Sequence, residues 1–199
     1  MRGGPLGGIL LTGGSSARMG RDKATMRIRG SSLAERSARL LSASVDIAVE
    51  VGAGVSGLPW ILEEPRGQGP LGAIVAGHVE LMRVGLDPGA LCLVLACDLP
   101  LLDDWVLDKI ATWPSDRSVL PVIGNFAQPL CARWTSQDLA RARTAFDMGE
   151  RSLTSLPDRN LAILLGEEVF EEHGIAFSDV DRPDDLVRLG LVSDDQRPT

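Results

Sequence analysis

Leu6-Gly-Gly-Ile-Leu-Leu11, followed by Thr12-Gly-Gly-Ser-Ser-Ala-Arg18-Met-Gly-Arg-Asp-Lys23, is the stretch on which the reading of the chain turns. Its first six residues have the length and apolar character of a buried β-strand. The glycine-rich loop that leaves this strand ends in full positive charge at Arg18 and Lys23. Gly13, Gly14 and Gly20 let the main chain come close to a ligand, so that successive N–H groups point at its oxygens. Arg18 adds a planar fork and Lys23 a point charge. Together these residues make a phosphate cradle. It lacks the Gly-Lys-Ser/Thr of a P-loop and the G-x-G-x-x-G of a dinucleotide fold, so it is of a third type. A plain Gly/Ser turn would account for two adjacent glycines but not for Arg18, Met19-Gly20 and Asp22-Lys23 at their spacing.

Outward from the loop, strand and helix patterns alternate. Ser32-Leu-Ala-Glu35 fits a capping box, and Leu33, Ser37, Leu40, Leu41 and Ser44 share a helical face. Val45–Val51 reads as a second strand and Trp60–Glu63 as a short third one, followed by a turn through Gly69-Pro70. A helix with Leu71, Ile74, Val75, His78 and Met82 on one stripe comes next, which makes His78 a core or boundary residue. Ala90–Ala96 is nearly all apolar, as in a central strand covered on both faces. Asp103 or Asp104 caps the helix that follows. Further strands are expected at Ser118–Val122, Gln128–Trp134 and Leu161–Leu165, with helices over Ser136–Phe146 and from Pro183 to Leu189. This alternation predicts an α/β fold with a parallel, doubly wound sheet, whose ligands sit outside the carboxyl ends of the strands.

The chain has 199 residues, 44% hydrophobic and 24% charged, as expected of one globular domain, here residues 1–192 with a loose tail at 193–199. A net charge of −7 argues against a nucleic-acid or anionic-membrane binder. Arg18 to Arg29 nevertheless holds five basic residues and one acid, so positive charge gathers where the loop is and points to a small anionic ligand. Cys92, Cys97 and Cys131 cannot all pair and lack zinc-ligand spacing, which implies a reducing compartment. With no signal pattern and no apolar span of about 20 residues, a cytoplasmic protein is expected.

Asp98 stands directly after the central strand, separated from the next helix by Leu99-Pro100-Leu101-Leu102, which weakens capping as its reason for being there. A carboxylate at that strand end can hold Mg²⁺ against triphosphate oxygens delivered by the first loop. Asp181 is the candidate for a second metal ligand, with a helix-start role as its alternative; for Asp184 and Asp185 the helix start is preferred.

The Leu-Thr-Gly-Gly-x-x-x-Arg-Met-Gly-x-Asp-Lys loop, Gly69-Pro70-Leu71, Cys97-Asp98-x-Pro100, Gln128-Pro-Leu130, Gly149-Glu-Arg-Ser-Leu153 and Asp181-x-Pro-x-Asp-Leu186 together resemble the molybdenum cofactor guanylyltransferase family. The matches run in family order over nearly the whole chain. The first loop alone indicates only the wider nucleotidyltransferase superfamily; Gly-Pro-Leu separates the guanylyltransferases from their cytidylyltransferase relatives. The resemblance implies a single-domain, three-layer, Rossmann-like nucleotidyltransferase fold with a mostly parallel central sheet. It implies Mg²⁺-dependent transfer of GMP from GTP to the terminal phosphate of molybdopterin, with transient contacts to cofactor-supplying or cofactor-inserting proteins. Carried over by position, Leu11, Thr12, Gly13 and Gly14 meet the nucleotide, Arg18 and Lys23 its phosphates, and Asp98 the metal.

The acid that binds the nucleotide before Gly-Pro-Leu would be Glu64, where the family usually has aspartate, with Glu63 as the competing assignment. Glu50, Asp179 and Asp181 stand where the family often has asparagine. Arg133 and Arg151 are candidates for the pterin phosphate, each with a surface role as its alternative. Outside this reading stand a transferase using CTP or a phosphorylated sugar or alditol acceptor, and a non-catalytic GTP- or cofactor-binding relative.

Overall fold

The computed structural model describes residues 4–13, 23–153, 156–158 and 160–194. Strand β1 (Leu6–Leu11) has all six residues buried and lies inside the sheet. It pairs in parallel with β4 (Ile47–Val51) on one side and β6 (Leu91–Ala96) on the other. The full order is β10-β7-β9-β6-β1-β4-β5, where β5 is Trp60–Ile61, β7 is Val119–Ile123, β9 is Cys131–Trp134 and β10 is Ile163–Leu165. All path strands run parallel except β9, which is antiparallel to both β6 and β7.

The inversion has a local cause. After β7 the chain turns at Gly124, whose φ of 58° suits a tight turn, and returns along β7 as β8 (Phe126–Ala127). Residues 128–130 swing out, and the chain continues in the same direction as β9. A short turn gives an antiparallel neighbour, whereas a parallel one needs a long crossover.

Helices cover both faces. Helices α1 (Leu33–Ser44) and α3 (Asp104–Thr112) pack on one, where Leu6 and Leu10 of β1 meet Leu41, Val106 and Ile110. Helices α2 (Gly69–Arg83) and α4 (Ser136–Asp147) pack on the other, where Ile9 and Leu11 meet Leu71, Ile74 and Leu139. Alternate residues of one strand thus feed two cores, which is why β1 and β6 read as continuous apolar runs.

The capping box of α1 is complete: Glu35 N donates to Ser32 Oγ at 3.0 Å and Ser32 N to Glu35 Oε2 at 2.7 Å. Asp103, not Asp104, caps α3, accepting from Val106 N at 2.9 Å. The stripe of α2 is rotated from the expected one. Leu71, Ile74, Gly77 and Leu81 are buried, His78 is half-buried, and Met82 is exposed. Gly77 explains the rotation, because a Cβ there would lie 2.6 Å from Ile9 Cγ2 and 2.9 Å from Val51 Cγ2. The helix backbone rests directly on β1 and β4.

Among the elements that escaped the sequence reading are a small hairpin of β2 (Arg27–Ile28) with β3 (Ser31–Ser32) and the 3₁₀ segment Glu171–Phe177. The 3₁₀ segment packs Ala176 and Phe177 into the core under α1 and α3, while Val180, Leu186 and Leu191, around α5 (Pro183–Arg188), form a third small cluster with Met26, Ile28 and Leu101. Ser193, assigned to the loose tail, is instead buried and bridged to Ile28, and the Asp194 carboxylate accepts from Gly30 N at 2.6 Å. The three cysteines are buried thiols. Among the described residues no helix is long and apolar enough to cross a membrane.

Candidate active site

A cavity of about 740 Å³ opens at the carboxyl ends of β1, β4 and β6. Leu11, Thr12, Gly13, Lys23 and Asp98 all line it, so the first loop and the central-strand aspartate, far apart in sequence, face one space. Gly14 and Arg18 lie outside the described residues.

The start of the loop is fixed by β4 rather than left open to a ligand. Thr12 N and Gly13 N both donate to Val51 O, at 3.1 and 3.3 Å, and Thr12 Oγ1 donates to Glu50 Oε1 at 2.5 Å. These groups shape the wall, but their donors are already used, which corrects the expectation that the Gly13 amide points at phosphate. The close approach requires Gly52, where a Cβ would sit 2.1 Å from Thr12 Oγ1.

Glu50 is wholly buried and accepts from Ser56 N and Oγ, Gly54 N and Val55 N as well as from Thr12. Burial pushes its carboxyl up, but the Ser56 and Thr12 hydroxyls and the loop amides outweigh that and hold it below its ordinary value. This carboxylate folds the 52–58 loop and has no capacity left for a ribose or base.

Asp98 is in a different situation. Burial pushes its carboxyl up, Lys23 pulls it down, and Asp179 and Asp181 push it up again, with a net rise. Val180 N donates to Asp98 O at 3.0 Å, which ties the 179–181 segment to the strand end. Lys23 forms an ion pair with Asp181. Three hard carboxylates thus share one field beside a lysine. Among the described residues no group of three side chains forms a closed metal cage.

On the far wall of the cavity stands the turn between β5 and α2. Glu63 lines both this cavity and a neighbouring one of about 260 Å³, whereas Glu64 is exposed and lines only the second. Glu63 Oε1 accepts from Gly67 N at 2.7 Å and Gln68 N at 3.3 Å. Its Oε2 is buried and accepts no hydrogen bond from the described residues. Arg66 and the first turn of α2, at Gly69 and Pro70, complete this wall. Arg66 went unnoticed in the sequence; its signal was its place between a candidate acid and Gly-Pro-Leu.

The two arginines assigned to a pterin phosphate part company. Arg133 is buried on β9, and its guanidinium donates to the carbonyls of Ala111, Trp113, Ser115 and Arg117 at 2.6–3.2 Å. It holds the α3–β7 connection and does not face the cavity. Arg151 lies near the α2 N-terminus, with Nε on Gln68 Oε1 at 3.1 Å and its guanidinium 4.3 Å from the Phe146 ring centroid.

This geometry agrees with what the chain is similar to. Residues 8–161 match the family model of the MobA-like NTP transferase domain. A probable molybdenum cofactor guanylyltransferase of Opitutus terrae is 33% identical over 156 residues, covering 74% of this chain and 75% of that protein. One from Mycobacterium avium is 35% identical over 178 residues, covering 83% and 88%. The crystal structure of molybdopterin-guanine dinucleotide biosynthesis protein A from Archaeoglobus fulgidus superposes with a TM-score of 0.71 at 22% identity, covering 92% of this chain and 95% of that one, and supports the fold. The match over most of the chain, with a loop and strand-end aspartate facing one cavity, makes the chain a member of the MobA-like NTP transferase family.

Proposed function

We propose that the protein transfers GMP from GTP to the terminal phosphate of molybdopterin, giving the guanine dinucleotide form of the cofactor and pyrophosphate. The observation that carries this reading is the convergence of Lys23 and Asp98 on one cavity at the carboxyl edge of the sheet. The names borne by relatives more than 30% identical support the choice of donor and acceptor.

In the reaction an oxygen of the acceptor phosphate forms a bond to the α-phosphorus of GTP, and the bond from that phosphorus to the bridging oxygen of the β-phosphate breaks. The attacking group is already anionic, so no side-chain nucleophile is needed. The protein's task is to hold two anions in line and to stabilise charge on the pentavalent phosphorus and the leaving pyrophosphate. Lys23 provides positive charge beside the triphosphate, and Arg18 is assigned the same task from the loop. Asp98 is the residue to hold Mg²⁺, with Asp181 as the second ligand; when bound, the ion neutralises triphosphate charge. Lys23 leaves Asp181 for phosphate as the substrate enters. The candidates for the guanine-reading acid are Glu63, which borders both cavities, and Glu64, which borders only the smaller one.

Pyrophosphate release measured with Mg²⁺ and molybdopterin tests the reading. GTP is expected to support release, and CTP and ATP to do so poorly; equal use of CTP would falsify the guanine assignment.

A further inference from the structure

Lys23 owes its place to residues far along the chain. It opens a single 3₁₀ turn, Lys23–Thr25, closed by Met26 N donating to Lys23 O at 3.0 Å, and the β2–β3 hairpin follows at once. That hairpin pairs only Arg27 with Ser32 and Ile28 with Ser31, and a two-stranded ribbon so short is not stable alone in water. Its turn adds to the difficulty, because Arg29 takes a left-handed φ of 53° that a side chain seldom adopts unless its surroundings impose it. Support comes from two sides. Helix α1 holds the hairpin through Leu33 N, which donates to Met26 O at 3.0 Å. Residues 180–194 hold it from the other side: Val180, Leu186 and Leu191 pack against Met26 and Ile28, Ser193 bridges to Ile28, and the Asp194 carboxylate accepts from Gly30 N at 2.6 Å.

The same segment carries the ion-pair partner of Lys23. Asp185 Oδ2 accepts from Asp181 N and Arg182 N, each at 2.8 Å, and Val180 N donates to Asp98 O, so the backbone that presents Asp181 is fixed to α5 and to the end of β6. Residues 180–194 thus secure the hairpin that follows Lys23 and also the carboxylate beside its ammonium. We infer that this segment is a clasp that sets Lys23 for the triphosphate, with Asp194 as a positioning residue that acts on Lys23 through the hairpin. This role rests on the GTP reading proposed above and adds a positioning residue to it. Asp194 on this assignment touches no reacting atom. Because Asp194 is an acid, removing it has two effects of opposite sign: loss of its charge favours an anionic ligand, whereas loss of its bond to Gly30 N loosens the lysine that binds that ligand.

A double-mutant cycle on the full chain, read by equilibrium titration with GTP and with guanosine, tests the assignment without any acceptor substrate. Asp194→Ala is expected to weaken GTP binding at least about threefold, within the range of couplings between residues of one network, and to leave guanosine binding unchanged. In a Lys23→Ala background the same substitution should have no effect on GTP. Asp194→Asn keeps an oxygen for Gly30 N and should stay close to the wild type. The assignment is overturned if Asp194→Ala leaves GTP binding unchanged or tightens it, if GTP and guanosine weaken equally, or if the loss is the same with and without Lys23. An Asp194→Asn variant as weak as Asp194→Ala overturns it too. A wild type that binds CTP and ATP as tightly as GTP would instead overturn the guanine reading and leave the clasp standing, because the cycle is read on the triphosphate.

Discussion

Glu50 lies on β4 and Asp98 just beyond the end of β6, the two strands that flank β1, and their surroundings give these carboxylates opposite characters. Glu50 is saturated by five hydrogen-bond donors, whereas Asp98 faces a cavity in the company of two more aspartates. The first is structural and the second is free to meet a cation. Hydrogen bonds to a charged group contribute about 1.5–3 kcal/mol each, so Glu50→Gln should lose at least about 3 kcal/mol near neutral pH by denaturant unfolding. Because the folded-state pKa of Glu50 lies below its ordinary value, this stabilisation is fully present above the ordinary glutamate pKa. It is lost as pH falls through the folded value, so the gap between wild type and variant should narrow below about pH 4. Asp98→Asn should behave in the opposite way, with an unchanged melting temperature but turnover down by at least about 10²–10³. A fully active variant would remove Asp98 from the site. The sequence could identify Asp98, because an acid at the end of an apolar strand has few other uses. It could not separate Glu63 from Glu64, since the two differ by one position and only the path of the turn after β5 decides which borders the cavity.

At the scale of elements, the strongest local patterns were legible, while the exact face of α2 and the small β2–β3 hairpin were not. The capping box at Ser32 and the apolar runs of β1 and β6 declare themselves through neighbouring residues, and the structure has both. The antiparallel direction of β9 could not be read, because strand direction depends on where the chain returns, and the short turn at Gly124 resembles any other loop. Arg133 was misread for the same reason. An arginine three positions after Gln-Pro-Leu looks available for phosphate, and only the folded path of residues 111–117 shows it filled by carbonyls. Burial pulls its pKa down against an opposing pull from Asp116, and the four carbonyls stabilise the charge. Arg133→Met should therefore lower stability by about 3 kcal/mol, the worth of one or two charge-assisted hydrogen bonds. The Michaelis constants for GTP and acceptor, measured below the unfolding range, should not move. A raised constant for the acceptor at unchanged stability would return Arg133 to the site.

The whole molecule places its chemistry where a doubly wound sheet offers room, outside the carboxyl ends of the strands. Net charge is −7, yet Lys23 lines the cavity and brings positive charge to its wall. The cavity spreads from the β5–α2 turn across β4 and β1 to Asp98, and Leu130 bounds it beyond β6. On the proposed function, the nucleotide takes the β5 side and the acceptor approaches over β9 and β7. GTP labelled at the α-phosphorus, incubated with the protein, Mg²⁺ and molybdopterin, tests this arrangement most directly. The expected result is label in a guanylated pterin product of the corresponding mass, with none when the label is on the γ-phosphorus. Transfer of the γ-label to the pterin, or no labelled pterin from either substrate, would contradict it.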